Sequence, residues 1–286
     1  MKAETGRAPR VSIGLPVRNG GRLLPRALSS VLDQTERDIE VIASDNGSDD
    51  GTTELLKAAA AADPRVRYFR HDRPLRALEN FYFVLGKARG EYFMWAAHDD
   101  SRDLDYAGRL ADALDGDPDA VLAFGDLAVI TADGPTGEVR PLPFQTSGMT
   151  RLARMAKLSR MQCYYIYGVW RTATLRRIPY AYCQWWSDLP IVLGASVLGT
   201  FIHVPGTHFQ YMEVQKTAAE MLKANDFLTQ FSLVRGVANL VLATFRSCRG
   251  VGGLAVGAYA ASLVILKQAV NLPGFLFRRL QRGMTA

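Results

Sequence analysis

The chain has 286 residues, of which 48% are hydrophobic and 22% charged. That is an ordinary globular composition, long enough for one large core or for a domain with an appendage. Its net charge of +6 suits a phosphate-bearing substrate, nucleic acid or an anionic membrane surface without choosing among them. Three widely spaced cysteines, Cys163, Cys183 and Cys248, form no C-x-x-C pair and indicate neither a zinc ribbon nor a disulfide framework. The first residues carry no apolar core of a cleaved secretory signal, so a cytoplasmic, reducing location is expected.

In chain order, Val11 to Val17 reads as a buried strand, and Leu23 to Leu32 has helical spacing with Pro25 near its start. Ile39 to Ala43 is the next strand. The turn SDNGSDDGT then leads into a helix from Thr52 to Ala62, with Asp49 and Thr52 expected to cap it. A third strand at Val66 to Phe69, a helix at Leu78 to Ala88, a strand at Glu91 to Ala97, a helix at Tyr106 to Leu114 and a strand at Ala120 to Phe124 follow. Strands alternating with helices in this way imply a mostly parallel sheet wound by right-handed crossovers.

Beyond Ile130 the pattern loosens. Thr131 to Gly137 reads as a turn and Pro141 to Met149 as a mobile loop. A helix is expected at Leu152 to Met161, an extended aromatic stretch at Gln162 to Trp170, a helix at Ser187 to Leu198 and a strand at Thr200 to Val204. From Lys216 onward only helices are expected. Val251 to Leu266 is uncharged but falls short of the approximately 20 residues of a spanning helix. With Lys267, Arg278, Arg279 and Arg282 after it, this tail reads either as interfacial helices on an anionic bilayer or as a helical pair packed on the domain or in a homodimer.

Three polar turns fall after three strands: Pro16-Val17-Arg18-Asn19-Gly20-Gly21, the turn holding Asp45 and Asn46, and the turn holding His98, Asp99 and Asp100. In an open α/β sheet all three meet at the carboxyl edge, where ligands bind. Adjacent carboxylates there suit a hard divalent cation that keeps open positions for substrate phosphates, although a solvated turn has the same composition. Asp45 is either an acceptor for a nucleobase N–H or an ordinary Asx turn. Arg76 is either a guanidinium for a diphosphate or a surface charge.

The order PVRNG, SDNGSDDGT, then ARGEYFMWAAHDD resembles the inverting family 2 glycosyltransferases of the GT-A fold, well over residues 10 to 126 and loosely over 180 to 205. The resemblance implies a GT-A-like α/β fold: a Rossmann-type, mostly parallel sheet flanked by helices, with a C-terminal helical extension. The domain would span 8–215, with a nucleotide-sugar half at 8–130 and an acceptor half at 131–215, and the extension 216–286. It implies a nucleotide-diphosphate sugar donor, with Asp45 on the base, Asp99 near the ribose or sugar, and Asp100 on Mg²⁺ or Mn²⁺. Pro16, Val17, Arg18, Asn19, Asn46, Arg76 and His98 complete the donor side, and His208 is expected to close onto the diphosphate and join the metal.

The chain departs from the family in having Arg18 where a tyrosine is frequent, and in lacking N-x-G in the loop at 71–76. Inversion in one displacement needs a base on the acceptor side. Asp188, opening a helix as the family's catalytic acid does, is the candidate, and the helix dipole is the other reason for an acid there. Trp185 and Trp186 beside it would hold the sugar acceptor. The expected acceptor is a saccharide or lipid-linked sugar of bacterial surface glycan synthesis, at the inner face of the cell membrane, with no nucleic acid partner. Two other readings share the fold pattern: a nucleotide-sugar-binding module without turnover, and a receiver-like phosphoacceptor domain.

Overall fold

The computed structural model describes residues 7–131, 134–140, 142, 144–179, 187–213 and 230–283. They divide into two compact units, one of residues 1–147, 164–176 and 200–215, the other of residues 148–163, 177–199 and 216–286. This division differs from a single cut after residue 215, because two internal segments leave the sheet unit for the helical one.

In the sheet unit, nine strands share one sheet. They are β1 (Val11–Val17), β2 (Ile39–Asp45), β3 (Val66–Arg70), β4 (Tyr92–Trp95), β5 (Ser101–Arg102), β6 (Ala120–Thr131), β7 (Gly134–Arg140), β8 (Val169–Arg171) and β9 (Thr200–Met212). The order is β3-β2-β1-β4-β8-β6-β9-β5, with β7 paired to β6. The pairs β1–β2, β2–β3, β1–β4 and β6–β9 are parallel, while β8 runs antiparallel to both β4 and β6. Every residue of β1 and β2 is buried, on both faces of the sheet, including the polar Ser12, Glu40, Ser44 and Asp45.

Helices α1 (Leu24–Leu32), α2 (Thr52–Ala62), α3 (Ala77–Lys87) and α4 (Tyr106–Asp115) fall at the crossovers. α1 buries Leu24, Ala27, Leu28 and Val31, one stripe at helical spacing, into a core that includes Ile13, Leu15, Val41, Met94 and Leu110. A short α6 (Thr172–Arg176) follows β8, where Arg176 Nη2 donates to the carbonyls of Leu85 and Ala88 at 3.2 and 2.6 Å.

Several expected elements change once long-range pairing is present. The strand expected to stop at Phe124 continues to Thr131 through Asp126, whose carboxylate is met inside the sheet by His203 Nε2 at 2.7 Å and by the N–H groups of Leu142 and Gly206. The second half of the expected turn over 131–137 begins strand β7, a mostly exposed segment that runs on to Arg140 and is held by its ladder to β6. The strand expected to end at Val204 runs on to Met212 beside β6, despite Pro205 and Gly206. Tyr164–Tyr167 form a 3-10 turn instead of an extended stretch, and Tyr167 stacks on Phe209 at 4.9 Å. The loop at 141–149, expected to be mobile, is tied down where described: Thr146 N–H donates to Phe201 O at 3.0 Å and Phe201 N–H to Thr146 Oγ1 at 2.8 Å.

The helical unit contains α5 (Arg151–Leu158), α7 (Asp188–Leu198), α8 (Gln230–Gly252) and α9 (Leu254–Gly283). α7 is buried along almost its whole length, so its sequence is apolar all round. Arg154 links α5 to α7 by donating from Nε to Ser196 O at 3.0 Å.

Candidate active site

The ends of β2, β1 and β4 lie side by side, so the three polar turns share one edge. Val17 pairs with Asp45 across β1 and β2, and Ala96 N–H donates to Gly14 O at 2.8 Å. With β1 between them, the ends of β2 and β4 are about 10 Å apart, two strand spacings. The first two turns interlock. Asn19 N–H donates to Ser48 Oγ at 2.9 Å, Gly20 N–H to Thr52 Oγ1 at 2.9 Å, and Asp49 N–H to Asn19 Oδ1 at 3.1 Å. The expected capping is therefore corrected: the Thr52 hydroxyl serves Gly20, and it is Asp50, not Asp49, whose carboxylate accepts the Thr52 N–H, at 3.2 Å. Asn46 holds the loop before α3 by a two-way pairing with the backbone of Leu75, at 2.7 and 2.9 Å, which leaves Arg76 exposed at the start of α3. Pro16 and Val17 are buried in β1, and Arg18 is exposed just beyond them.

Asp45 is fully buried and saturated. Its Oδ1 accepts the Ser48 N–H at 2.8 Å, while Oδ2 accepts Thr53 Oγ1 at 2.6 Å, Arg70 Nη1 at 2.6 Å and the Tyr68 hydroxyl at 3.3 Å. Burial works to raise its pKa, but the Thr53, Ser48 and Arg70 donors outweigh it and hold the carboxyl below its ordinary range. Arg70, whose side chain is 37% exposed, is the member of this group that faces outward.

Asp100 is the opposite case. It is buried beyond β4, and its Oδ1 accepts one backbone donor, Met212 N–H at 2.8 Å. Burial first, and then the adjacent Asp99, push its pKa up to about 7, against the Met212 N–H, Arg102 and Arg26. Asp99 and His98 are half-buried. Arg26 on α1 donates from Nη2 to Asp99 O at 3.2 Å. Arg102, itself buried, donates from Nη2 to Trp95 O at 2.7 Å and so fastens the two ends of the turn that carries the acid pair. Tyr211 belongs to the same place: its phenol is pushed up by burial, then by Tyr164, Asp100, Asp99 and Glu213. Arg26, Arg70, Arg102 and Tyr211 are residues that sequence reasoning missed. Each is brought in by strand pairing or helix docking, and no local motif marks them.

His208, expected on the metal, is engaged elsewhere on β9 in this structure. It lies four residues before Met212 on an unbroken stretch of β9, about 13 Å along the strand. Its Nδ1 is 2.6 Å from Asp103 Oδ2, and Gln210 Nε2 donates to the other Asp103 oxygen at 2.7 Å. Among the described residues no cluster of three or more His, Cys, Asp or Glu side chains gathers to hold a metal. A cation at the acid pair therefore depends on Asp100 and Asp99 with ligands from elsewhere. That suits Mg²⁺ or Mn²⁺, which are commonly held by one or two carboxylates together with substrate phosphates.

Asp188 opens α7 in the helical unit. Burial pushes its carboxyl up to about 6, although an acid at a helix N-terminus is favoured in its charged form. Trp185 and Trp186 lie outside the described residues.

The architecture defines a GT-A type fold, and known structures agree. A Staphylococcus aureus TarS structure in complex with UDP-GlcNAc superposes with a TM-score of 0.67 at 13% identity, covering 93% of this chain and 75% of that one. A Pyrobaculum calidifontis mannosyltransferase in complex with GDP-Man and Mn²⁺ gives 0.55 at 15% identity, over 97% and 81%. The model of Glycosyl transferase family 2 matches residues 12–168, more than half of the chain, and the protein belongs to that family. A Rickettsia bellii uncharacterized glycosyltransferase is 38% identical over 93 residues, 32% of this chain and 13% of that protein. A Campylobacter jejuni GalNAc(5)-diNAcBac-PP-undecaprenol beta-1,3-glucosyltransferase is 30% identical over 93 residues, 32% and 30% of the two chains. These matches span less than a third of either relative's length.

Proposed function

We propose that the protein is an inverting, metal-dependent glycosyltransferase that moves a sugar from a nucleotide-diphosphate donor to an acceptor hydroxyl. The observation that carries this reading is the Asp99-Asp100 pair on the same sheet edge as the Asp45 turn, with Asp100 buried, beside a like charge and short of donors. Mg²⁺ or Mn²⁺ bound there would supply stabilisation of the negative charge that builds on the departing diphosphate. The donor half lies within 8–130. There Pro16, Val17, Asn19 and Asn46 shape the edge, Arg18 and Arg76 offer guanidinium groups, and Asp45 reaches the base through a rearrangement of, or in concert with, Arg70. His98 and Asp99 serve the ribose or sugar. Asp188 takes the proton of the attacking hydroxyl, with Trp185 and Trp186 holding the acceptor.

The nucleotide sugars in the two superposed complexes support a donor of this class, and the Campylobacter relative supports a lipid-linked or surface-glycan acceptor. Such an acceptor places the enzyme at the inner face of a membrane, in contact through its C-terminal helices. The decisive experiment is nucleotide-sugar hydrolysis and transfer with Mn²⁺ by the wild type, Asp100→Ala and Asp188→Asn. Turnover by the wild type that both substitutions abolish is expected, and binding without turnover in the wild type would make the protein a nucleotide-sugar-binding module.

A further inference from the structure

The charges of the chain are divided unequally between its two units. The helical unit carries fourteen lysines and arginines against three acids, Asp188, Glu220 and Asp226, while the sheet unit carries twenty against twenty-five. The excess of positive charge therefore belongs entirely to the helical unit, and no acid occurs after Asp226.

Helices α8 and α9 form a hairpin about Gly253, whose φ of +83° is one that glycine adopts without strain. α9 turns Val256, Ala260 and Val264 inward, and Gly257 permits close packing on α8, since a Cβ there would lie 3.0 Å from Phe245 O. Over residues 254–268, where its burial is described, the exposed residues of α9 are Leu254, Ala255, Ala258, Ser262, Ile265 and Leu266, one uncharged stripe at helical spacing about 18 Å long. Leu254, Ile265 and Leu266 are 67%, 54% and 62% exposed, an unusual outlay of large apolar side chains. On α8 the exposed residues Arg235, Ala238, Asn239, Leu242, Arg246 and Arg249 make a second stripe at the same spacing, basic at both ends. Among the described residues no helix is long and apolar enough to cross a membrane.

We infer that the α8–α9 hairpin is a docking surface for an anionic lipid bilayer. The Leu254, Ile265 and Leu266 stripe enters the headgroup and acyl boundary, and Arg235, Arg246 and Arg249 meet lipid phosphates. A second copy of the same hairpin is the poorer occupant, because it would set arginines against arginines with no acid on either helix to compensate. The inference deepens the reading of a membrane-side acceptor and is tested without reference to sugar transfer.

The test is flotation of the full chain with vesicles of phosphatidylcholine alone or with roughly one-third phosphatidylglycerol, at about 0.1 M and about 0.5 M salt. Binding to the anionic vesicles is expected, weakened about tenfold or more by the higher salt. The triple change Leu254→Ser, Ile265→Ser, Leu266→Ser should lower partitioning by at least roughly tenfold. Arg246→Gln with Arg249→Gln should remove the preference for anionic lipid. Melting temperatures of both variants should equal the wild type's, since the altered side chains are exposed. Absence of vesicle binding by the wild type, or equal and salt-insensitive binding to neutral vesicles, overturns the inference. So does a wild-type mass in solution of twice the chain that the triple serine variant halves, which assigns the stripe to a second copy. If the wild type binds vesicles but never turns over a nucleotide sugar, the catalytic reading fails and this one stands.

Discussion

Two aspartates at the carboxyl edge of one sheet, Asp45 and Asp100, are both buried, yet physics treats them in opposite ways. Asp45 receives four donors and is held below the ordinary carboxyl range, whereas Asp100 receives one backbone N–H, sits beside Asp99 and is pushed up to about 7. The first has its charge compensated by the fold's own donors, Arg70 among them. The second is a buried acid whose negative charge is poorly compensated, the condition that an added cation relieves. Burial alone therefore marks neither a structural nor a catalytic carboxylate; the count of donors around it does.

The largest effect that would sharpen this contrast is on turnover. Asp100→Asn keeps an acceptor for the Met212 N–H but loses the ligand charge, so sugar transfer should fall by on the order of a thousandfold. Its melting temperature at pH 8 should hold or rise, because the folded chain no longer carries an uncompensated buried charge; a large fall in melting temperature would place Asp100 with the structural acids. Asp45→Ala should do the reverse first. It strands the Ser48 N–H, the Thr53 hydroxyl and the Arg70 guanidinium, and should cost about 3 kcal/mol in urea unfolding. An Asp45→Ala protein as stable as wild type breaks the comparison.

A third prediction uses pH. Burial raises the Asp188 pKa from its ordinary 3.8 to about 6, so between those values the folded chain holds a proton that the unfolded chain has released. That contribution to stability is complete below the lower value and is lost as pH rises through the upper one. As a base the carboxyl is competent only when ionised, so kcat/KM should climb through about pH 6, and Asp188→Asn should remove both the rate and the ascending limb. Smaller again is the effect of metal: Mn²⁺ at about ten times its Kd should raise the wild-type melting temperature by roughly 2 °C and leave Asp100→Asn unmoved. His208→Ala, paired with Asp103 away from Asp100, should change turnover by less than about threefold; a loss comparable to that of Asp100→Asn would return it to the metal.

By itself the sequence determined the alternation of buried strands and amphipathic helices through Tyr106–Asp115, and with it the three polar turns on one edge, because those signals are local: apolar period, turn chemistry and the rule that strand ends collect ligands. Only the tertiary structure decided what is set by pairing between distant residues. β7 and the far halves of β6 and β9 exist because their ladders exist, and a run such as Gly134 to Arg140 has no strand signal of its own. The same holds at the site. Asp45 and Asp100 read alike in one dimension, and the difference between them comes from Arg70, Thr53, Arg102 and Met212, which arrive from other elements and bring or withhold the hydrogen-bond donors that set a carboxylate's charge.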